Sequence, residues 1–331
     1  MKFTRIEVPN LDFSGWYDYC GGTMAHLKLM QQHARTDVAR DQTKLIITPG
    51  NHGGTGKRKL GEIDYGPQAE FDKNDIMLRW FDYWLRGVAN GMDRELACKY
   101  FVMGSLEWKS ADTWPPDGII GTTYYLHSNG VANPINSSGT LNTEARALEV
   151  TDSYTYDPVD PMPTLWGCDL FTLPSNRRLV EHRPDILYYL TPALVEEVEI
   201  VGYPKVVLYA SSSAVDTDFF ARLVDNDPKG PAIEVCYGMV RARHRNSLEV
   251  EELIESGTVY EFRIKLGPTA CRFLKGHRIR LEITSSDFPN HDRNHNTGRD
   301  DLADVELCTA EQKVYHSSTY PSRLLLPVSS G

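Results

Sequence analysis

The sequence predicts a chain in two parts, a short α/β segment over residues 1–112 and an all-β sandwich over 113–331. Three observations carry this. Near the start, two apolar strand-like runs flank one helical run, the pattern of a βαβ unit. From Lys99 onward, short segments rich in Val, Ile, Tyr and Thr recur between Gly, Pro, Asn and Asp clusters, as in sandwich proteins. Between the two parts, Trp114-Pro115-Pro116-Asp117-Gly118 is a breaker run that marks a boundary.

The elements come in order along the chain. Arg5 to Leu11 reads as an extended run leading into the turn Gly15-Trp16-Tyr17-Asp18. Gly22 to Ala34 reads as a helix, with Met24, Ala25, Leu27, Leu29 and Met30 as its apolar residues. Lys44 to Thr48 reads as a buried strand closing on Thr48-Pro49-Gly50-Asn51-His52. The Gly- and Lys-rich stretch Gly53 to Gly61 reads as a polar, mobile loop; its Gly53-Gly54-Thr55-Gly56-Lys57 lacks the full phosphate-loop pattern. A second helix is predicted over Gln68 to Leu85, stopped by Gly87. Strands are predicted at Tyr100–Met103, Thr122–Leu126, Ile186–Leu190, Glu197–Val201, Lys205–Ala210, Phe219–Val224, Tyr260–Leu266 and Arg278–Thr284.

Composition narrows the function. With 35 basic and 45 acidic residues among 331, the formal net charge of -10 argues against nucleic acid or an anionic membrane as partner. No apolar run is long enough for a membrane span, and the N-terminus does not read as a signal peptide. The six cysteines, Cys20, Cys98, Cys168, Cys236, Cys271 and Cys308, are scattered without a C-x-x-C pair, so a reducing, cytoplasmic location is expected, unless an export signal precedes residue 1. Nothing in the pattern calls for a cofactor. His291 and His295 are a weak metal pair without an evident third ligand, so no metal is expected. Asp216 and Asp218 alternate as in a strand entry and read as solvated turn carboxylates, and Arg241-Ala242-Arg243-His244-Arg245 reads as a strand whose alternate residues face solvent or an acid.

The chemistry-bearing residues are Asp18 and His52, each at the end of a strand-like run. A serine hydroxyl becomes a nucleophile when a neutral imidazole takes its proton, and a carboxylate on the other ring nitrogen holds that imidazole in one tautomer. His52 and Asp18 are candidates for that base and acid. The third member is missing. No serine stands in a Gly-x-Ser-x-Gly elbow, and Ser14, the one serine before Asp18, has Asp12 and Trp16 where the elbow needs glycines. Trp16 and Tyr17 are candidates for lining a substrate pocket.

These residues resemble a known family, the α/β-hydrolases that include cocaine esterase, X-prolyl dipeptidyl-peptidases and α-amino-acid ester hydrolases. The likeness covers nearly the whole chain. Gly15-Trp16-Tyr17-Asp18 is similar to the family's acid-bearing turn, Pro49-Gly50-Asn51-His52 to its base-bearing loop, and Arg79-Trp80-Phe81-Asp82-Tyr83-Trp84-Leu85-Arg86-Gly87 to the helix after the catalytic His. Phe101-Val102-Met103-Gly104, Trp114-Pro115-Pro116, Tyr156 to Thr164, Asp216-Thr217-Asp218-Phe219, Gly276 to Arg280 and Ser285 to Pro289 are similar to segments of its C-terminal domain. The resemblance implies a C-terminal fragment of an α/β-hydrolase sheet followed by a jelly-roll β-sandwich. It also implies Asp18 as triad acid, His52 as general base, and a nucleophile and oxyanion hole in an N-terminal half that this chain lacks. Where amino-ester members carry carboxylates after the acid, this chain has Tyr19, Cys20 and Gly21, which does not support an α-amino-acyl specificity.

The expected function is thus the C-terminal portion of a serine hydrolase acting on a small-molecule ester or amide, inactive alone. Its expected partner is the missing N-terminal half, or a second copy through self-association, since parallel strands without their neighbours leave an exposed edge. The alternative is a non-catalytic binding or scaffold module that retains a hydrolase remnant.

Overall fold

The βαβ pattern near the N-terminus folds as a parallel strand pair with a helical crossover. In a computed structural model describing residues 2–18, 20–133, 139–145, 147, 150–166 and 174–330, strand β1 spans Leu11–Tyr17. Tyr19 and Cys168 lie outside the described residues. The strand begins later than the sequence suggested. Phe3–Arg5 forms a 3-10 turn, and Phe3 and Ile6 pack on Met30, Ala34 and Ala39, so the apolar run before Pro9 serves a small satellite core instead of the sheet.

Helix α1 (Gly21–His33) buries Met24, Leu27 and Met30 of the five apolar residues predicted for it, while Ala25 is exposed and Leu29 half-buried. Helix α2 (Asp37–Gln42) is capped by Thr36, whose hydroxyl accepts the Ala39 N–H. Strand β2 (Lys44–Asn51) is buried at every residue because it is flanked on both sides, which explains an apolar run without alternation. It pairs parallel with β1 from Leu11↔Lys44 to Gly15↔Thr48.

The loop after His52 is more structured than its composition suggested. It folds into a hairpin of β3 (Lys59–Leu60) and β4 (Ile63–Asp64), with Leu60 buried and Arg58 paired to Asp64. Helix α3 (Lys73–Arg86) is capped by Asp72 and ends on Gly87 in the left-handed region. It buries Trp80 but leaves Leu78 and Leu85 62% and 77% exposed. Strands β5 (Cys98–Val102) and β6 (Glu107–Ala111) complete a sheet of order β1-β2-β5-β6, in which β1 is an edge.

The rest of the chain is β-rich. Its strands are β7 (Ile119–His127), β8 (Thr140–Asn142), β9 (Asp152–Tyr156), β10 (Leu187–Leu190), β11 (Val198–Gly202), β12 (Lys205–Ser212), β13 (Asp218–Asn226), β14 (Ala232–Arg241), β15 (Tyr260–Lys265), β16 (Thr269–Phe273), β17 (Arg278–Thr284), β18 (Ala310–Tyr315) and β19 (Arg323–Ser329). Among the described residues these 13 join through shared pairings into one wrapped sheet, a β-sandwich around Phe219, Phe262, Leu281 and Leu324. The α/β segment shares that core. Backbone bonds stitch the two parts, Arg272 N–H to the Met103 carbonyl at 2.7 Å and Met103 N–H to the Ala270 carbonyl at 3.0 Å.

Two charge readings are corrected. Asp216 and Asp218 are not solvated: they are 0% and 1% exposed. Asp216 accepts from Arg243 Nε at 2.7 Å, and Asp218 from Arg241 Nε and Nη2 at 2.9 Å each, while Asn294 donates to both carboxylates. Strand β14 ends at Arg241 and Ala242–His244 form a 3-10 turn, so Arg243 turns inward instead of facing solvent. Alternation in a strand shows which residues share a face, but β13 is buried on both faces.

Asp216→Ala strands a buried guanidinium and is expected to cost about 3–5 kcal/mol, read as a lowered denaturant midpoint. A solvated carboxylate would cost under about 0.5 kcal/mol.

Candidate active site

The site begins where Gly15 lets β1 approach β2 and Gly50 lets the loop after β2 fold back. A Cβ on Gly15 would overlap the Gly50 carbonyl, and one on Gly50 would press on the Gly54 carbonyl carbon and oxygen. The ladder then slips, from Gly15↔Thr48 to Tyr17↔Asn51, and β2 gains a residue on β1. One residue beyond each strand end stand Asp18 and His52. Asp18 turns back with its N–H on the Gly15 carbonyl at 3.0 Å.

The two side chains meet. His52 Nδ1 lies 2.9 Å from Asp18 Oδ1, with His52 57% and Asp18 21% exposed at the side chain. A carboxylate on Nδ1 selects the Nδ1–H tautomer, in which Nε2 carries the ring's lone pair. Ser14 sits elsewhere, buried within β1.

Trp16 and Tyr17 are both buried and anchor the acid turn in two directions. Trp16 Nε1 donates to the Phe101 carbonyl at 2.7 Å and its ring tilts against Trp114. The Tyr17 hydroxyl donates to the Glu234 carbonyl of β14 at 2.8 Å. Burial, with Tyr65 and Cys271 nearby, holds the Tyr17 phenol well above its ordinary pKa, so it stays a donor.

Both residues line a cavity of about 470 Å³ between the two parts of the chain, walled also by Cys20, Trp166, Tyr237 and His291. Glu234 reaches its lining with its charge already answered: its carboxylate accepts Trp166 Nε1 at 3.2 Å and Arg222 Nε at 3.1 Å. Burial pushes the Cys20 thiol up to about 12 and lowers the pKa of His291. His291 bonds the Tyr237 hydroxyl through Nε2 at 3.1 Å, whereas the backbone N–H of His295 donates to the Asp301 carboxylate. Among the described residues no group of three or more His, Cys, Asp or Glu is arranged to hold a metal. No helix there is long and apolar enough to cross a membrane.

Sequence reasoning missed Glu234, Arg222 and Trp166. One signal was available, the Glu within the apolar run Ala232-Ile233-Glu234-Val235-Cys236, a charge that burial obliges to be paired.

The fold and site together define a β-sandwich protein whose α/β segment brings an acid and an imidazole into contact at adjacent strand ends. It belongs to the cocaine esterase and X-Pro dipeptidyl-peptidase family, spanning the C-terminal part of that family, and residues 90–325 match the X-Pro dipeptidyl-peptidase C-terminal non-catalytic domain. The chain is 37% identical to cocaine esterase of Rhodococcus sp. strain MB1 Bresler over 98% of its own length and 57% of that protein. It thus spans little more than half of this relative. Among solved structures, an aminopeptidase from a marine sediment Thaumarchaeota archaeon matches 98% of this chain and 55% of its own at TM-score 0.85 and 24% identity. An α-amino acid ester hydrolase matches 98% and 56% at TM-score 0.83 and 24% identity, and both likenesses concern the fold. Asp18 and His52 precede the matched domain.

Gly15→Ala is expected to lower stability by about 1–3 kcal/mol, seen in the denaturant midpoint, because the overlap forces the strands apart. An unchanged midpoint would contradict the close approach. His291 resists protonation in the folded chain, so its contribution is complete above its unfolded value near 6.5 and is lost as pH falls toward its lower folded value. His291→Phe is expected to flatten the decline in stability below about pH 6.5; an unaltered slope would contradict the assignment.

Proposed function

We propose that this chain supplies the acid and base of a serine hydrolase whose nucleophile is carried by another polypeptide segment. The observation that supports it most is the 2.9 Å contact between His52 Nδ1 and Asp18 Oδ1 at two adjacent parallel strand ends, with the imidazole more than half exposed. In this reading His52 accepts the serine proton through Nε2 as the hydroxyl attacks the acyl carbon, then returns it to the leaving group, and Asp18 stabilises the imidazolium.

The four-stranded sheet is read as the C-terminal part of an α/β-hydrolase sheet spanning residues 1–112, and the sandwich as a jelly roll over 113–331. The nucleophile-bearing segment docks on the open edge of β1, where unpaired backbone groups await a strand. Relatives that are nearly twice as long are consistent with such a segment.

The substrate is a small ester or amide. The cavity beside the acid turn, walled largely by Trp16, Tyr17, Trp166 and Tyr237, suits an apolar group: its one carboxylate is already paired to Arg222, and Lys265 is the one cationic side chain among the described residues of its lining. Cys20 and Gly21 offer no charge to an ammonium, which agrees with a neutral acyl group. As a member of this family the protein is expected to share the ester chemistry named for the Rhodococcus relative.

The test uses a fluorophosphonate probe. The chain alone is expected to remain unlabelled, and its mixture with the part of the Rhodococcus enzyme that it does not span is expected to be labelled on that part. His52→Ala should reduce the labelling rate by about three orders of magnitude or more. Stoichiometric labelling of the isolated chain, or full labelling of the His52→Ala mixture, would overturn the proposal.

A further inference from the structure

The residue next to the acid is tied to the part of the molecule described as non-catalytic. Asp18 lies one residue past the last β1–β2 pair, Tyr17↔Asn51, so no ladder bond holds it. The Tyr17 side chain runs from the end of β1 into the sandwich. Its hydroxyl donates to the Glu234 carbonyl, 2.8 Å away across 217 residues of sequence.

The ring is buried in the shared core and borders two cavities. Tyr17 and Val235 line the 470 Å³ cavity and also a second one of about 310 Å³, which Tyr65, Met103 and Ile233 help to wall. A side chain with open volume nearby has fewer contacts to hold it in one rotamer than one in a close-packed core. The bond to the Glu234 carbonyl is the directional contact that ties this ring to β14, alongside its core packing and the neighbouring Tyr65.

The acceptor is itself immobilised. The Glu234 carboxylate receives Trp166 Nε1, Ser175 Oγ and Arg222 Nε at 3.2, 3.4 and 3.1 Å, and Arg222 Nη2 reaches Asp287 Oδ1 at 2.6 Å. Arg222, Glu234 and Asp287 are each 1% exposed. Displacing this cluster would separate buried charges, which costs far more than a loop adjustment.

We propose that Tyr17 is a positioning residue: through the Glu234 carbonyl, the buried Arg222–Glu234–Asp287 cluster of the sandwich fixes the carboxylate of Asp18 against His52. This rests on the reading of Asp18 and His52 as acid and base, and gives the sandwich a part in setting the tautomer of the base. The phenol does not touch a reacting atom; it acts through the peptide that joins it to Asp18.

The experiment is nitrogen-15 NMR of the His52 ring in the intact chain, at a pH where the ring is neutral, comparing wild type, Asp18→Asn, Tyr17→Phe and Tyr189→Phe. Tyr189 is the control, a buried sandwich tyrosine whose hydroxyl donates to Asp152 at 2.7 Å. Tyr17→Phe is expected to raise the minor, Nε2–H tautomer about threefold or more, while Tyr189→Phe loses comparable stability and leaves the ring spectrum unchanged. No change in Tyr17→Phe, or an equal change in Tyr189→Phe, overturns the proposal. An Asp18→Asn spectrum identical to wild type defeats the acid–base reading itself and the positioning with it; a response to Asp18→Asn without one to Tyr17→Phe defeats the positioning alone. Should Tyr17→Phe not fold, amide exchange in the wild type decides. The Asp18 N–H, bonded to the Gly15 carbonyl in the turn that Tyr17 ties to β14, is expected to be protected to within about tenfold of the β14 amides, and exchange through a much cheaper local opening would overturn the proposal.

Discussion

The structure depends on the passage of one backbone against another at Gly15 and Gly50. A side chain larger than hydrogen at Gly15 would run into the Gly50 backbone and hold β1 and β2 too far apart for the residues after them to meet. With hydrogen at Gly15, the Gly50 carbonyl occupies space a methyl group would take, while the bare Gly50 lets the loop at Gly54 fold back on β2. The extra residue in β2 then turns the strand end so that His52 faces the carboxylate of Asp18. Contact between acid and base is thus a property of the backbone crossing first and of the side chains second.

That crossing sits on a rigid support. One hydrophobic core runs from Trp16, Leu45 and Phe101 of the α/β segment into Phe219, Phe262 and Leu281 of the sandwich, and backbone hydrogen bonds between Met103 and the strand around Ala270 join the two. Lys109 of β6 pairs with Glu199 across the same seam, and Arg272 reaches back to Glu107 of β6 at 3.3 Å. A sandwich described as non-catalytic in its relatives is here the body against which the acid turn is braced. The open features lie on the other part: among the described residues β1 has β2 as its one strand neighbour, and α3 shows Leu78, Phe81 and Leu85 to solvent.

Much of this was legible in the sequence, and the failures are as informative. The β2 strand, α1, α3 with its glycine stop, and most sandwich strands could be read because each carries a local signal, an apolar run, a helical period or a cap. The apolar run around Ile6 was assigned to the sheet because local pattern cannot distinguish a strand from a turn that feeds a satellite core. Asp216 and Asp218 were placed in solvent, and Arg243 was read in a strand facing solvent or an acid without that acid being identified, because a charged residue carries no local mark of its partner; the partners lie up to 78 residues away and meet only in the folded sandwich. Strands β6, β8, β9, β14, β16, β18 and β19 went unread for a related reason. Each contains polar or small residues, such as Glu107, Gly238, Arg272 and Ser329, whose placement depends on pairing with distant strands. Of the site, the motifs around Asp18 and His52 were visible, whereas the Glu234–Arg222 cluster and the cavity it borders emerge from tertiary packing alone.

The central claim is that this acid and imidazole serve a hydroxyl on another segment, and a crystal structure addresses it most directly. The structure to determine is the chain bound to the unspanned part of the Rhodococcus relative after phosphonylation of its serine. The expected result is His52 Nε2 within about 3 Å of the modified serine oxygen, with a strand of the second segment paired to β1. A ring turned away from that serine, or a second segment bound elsewhere with the β1 edge still bare, would contradict the account.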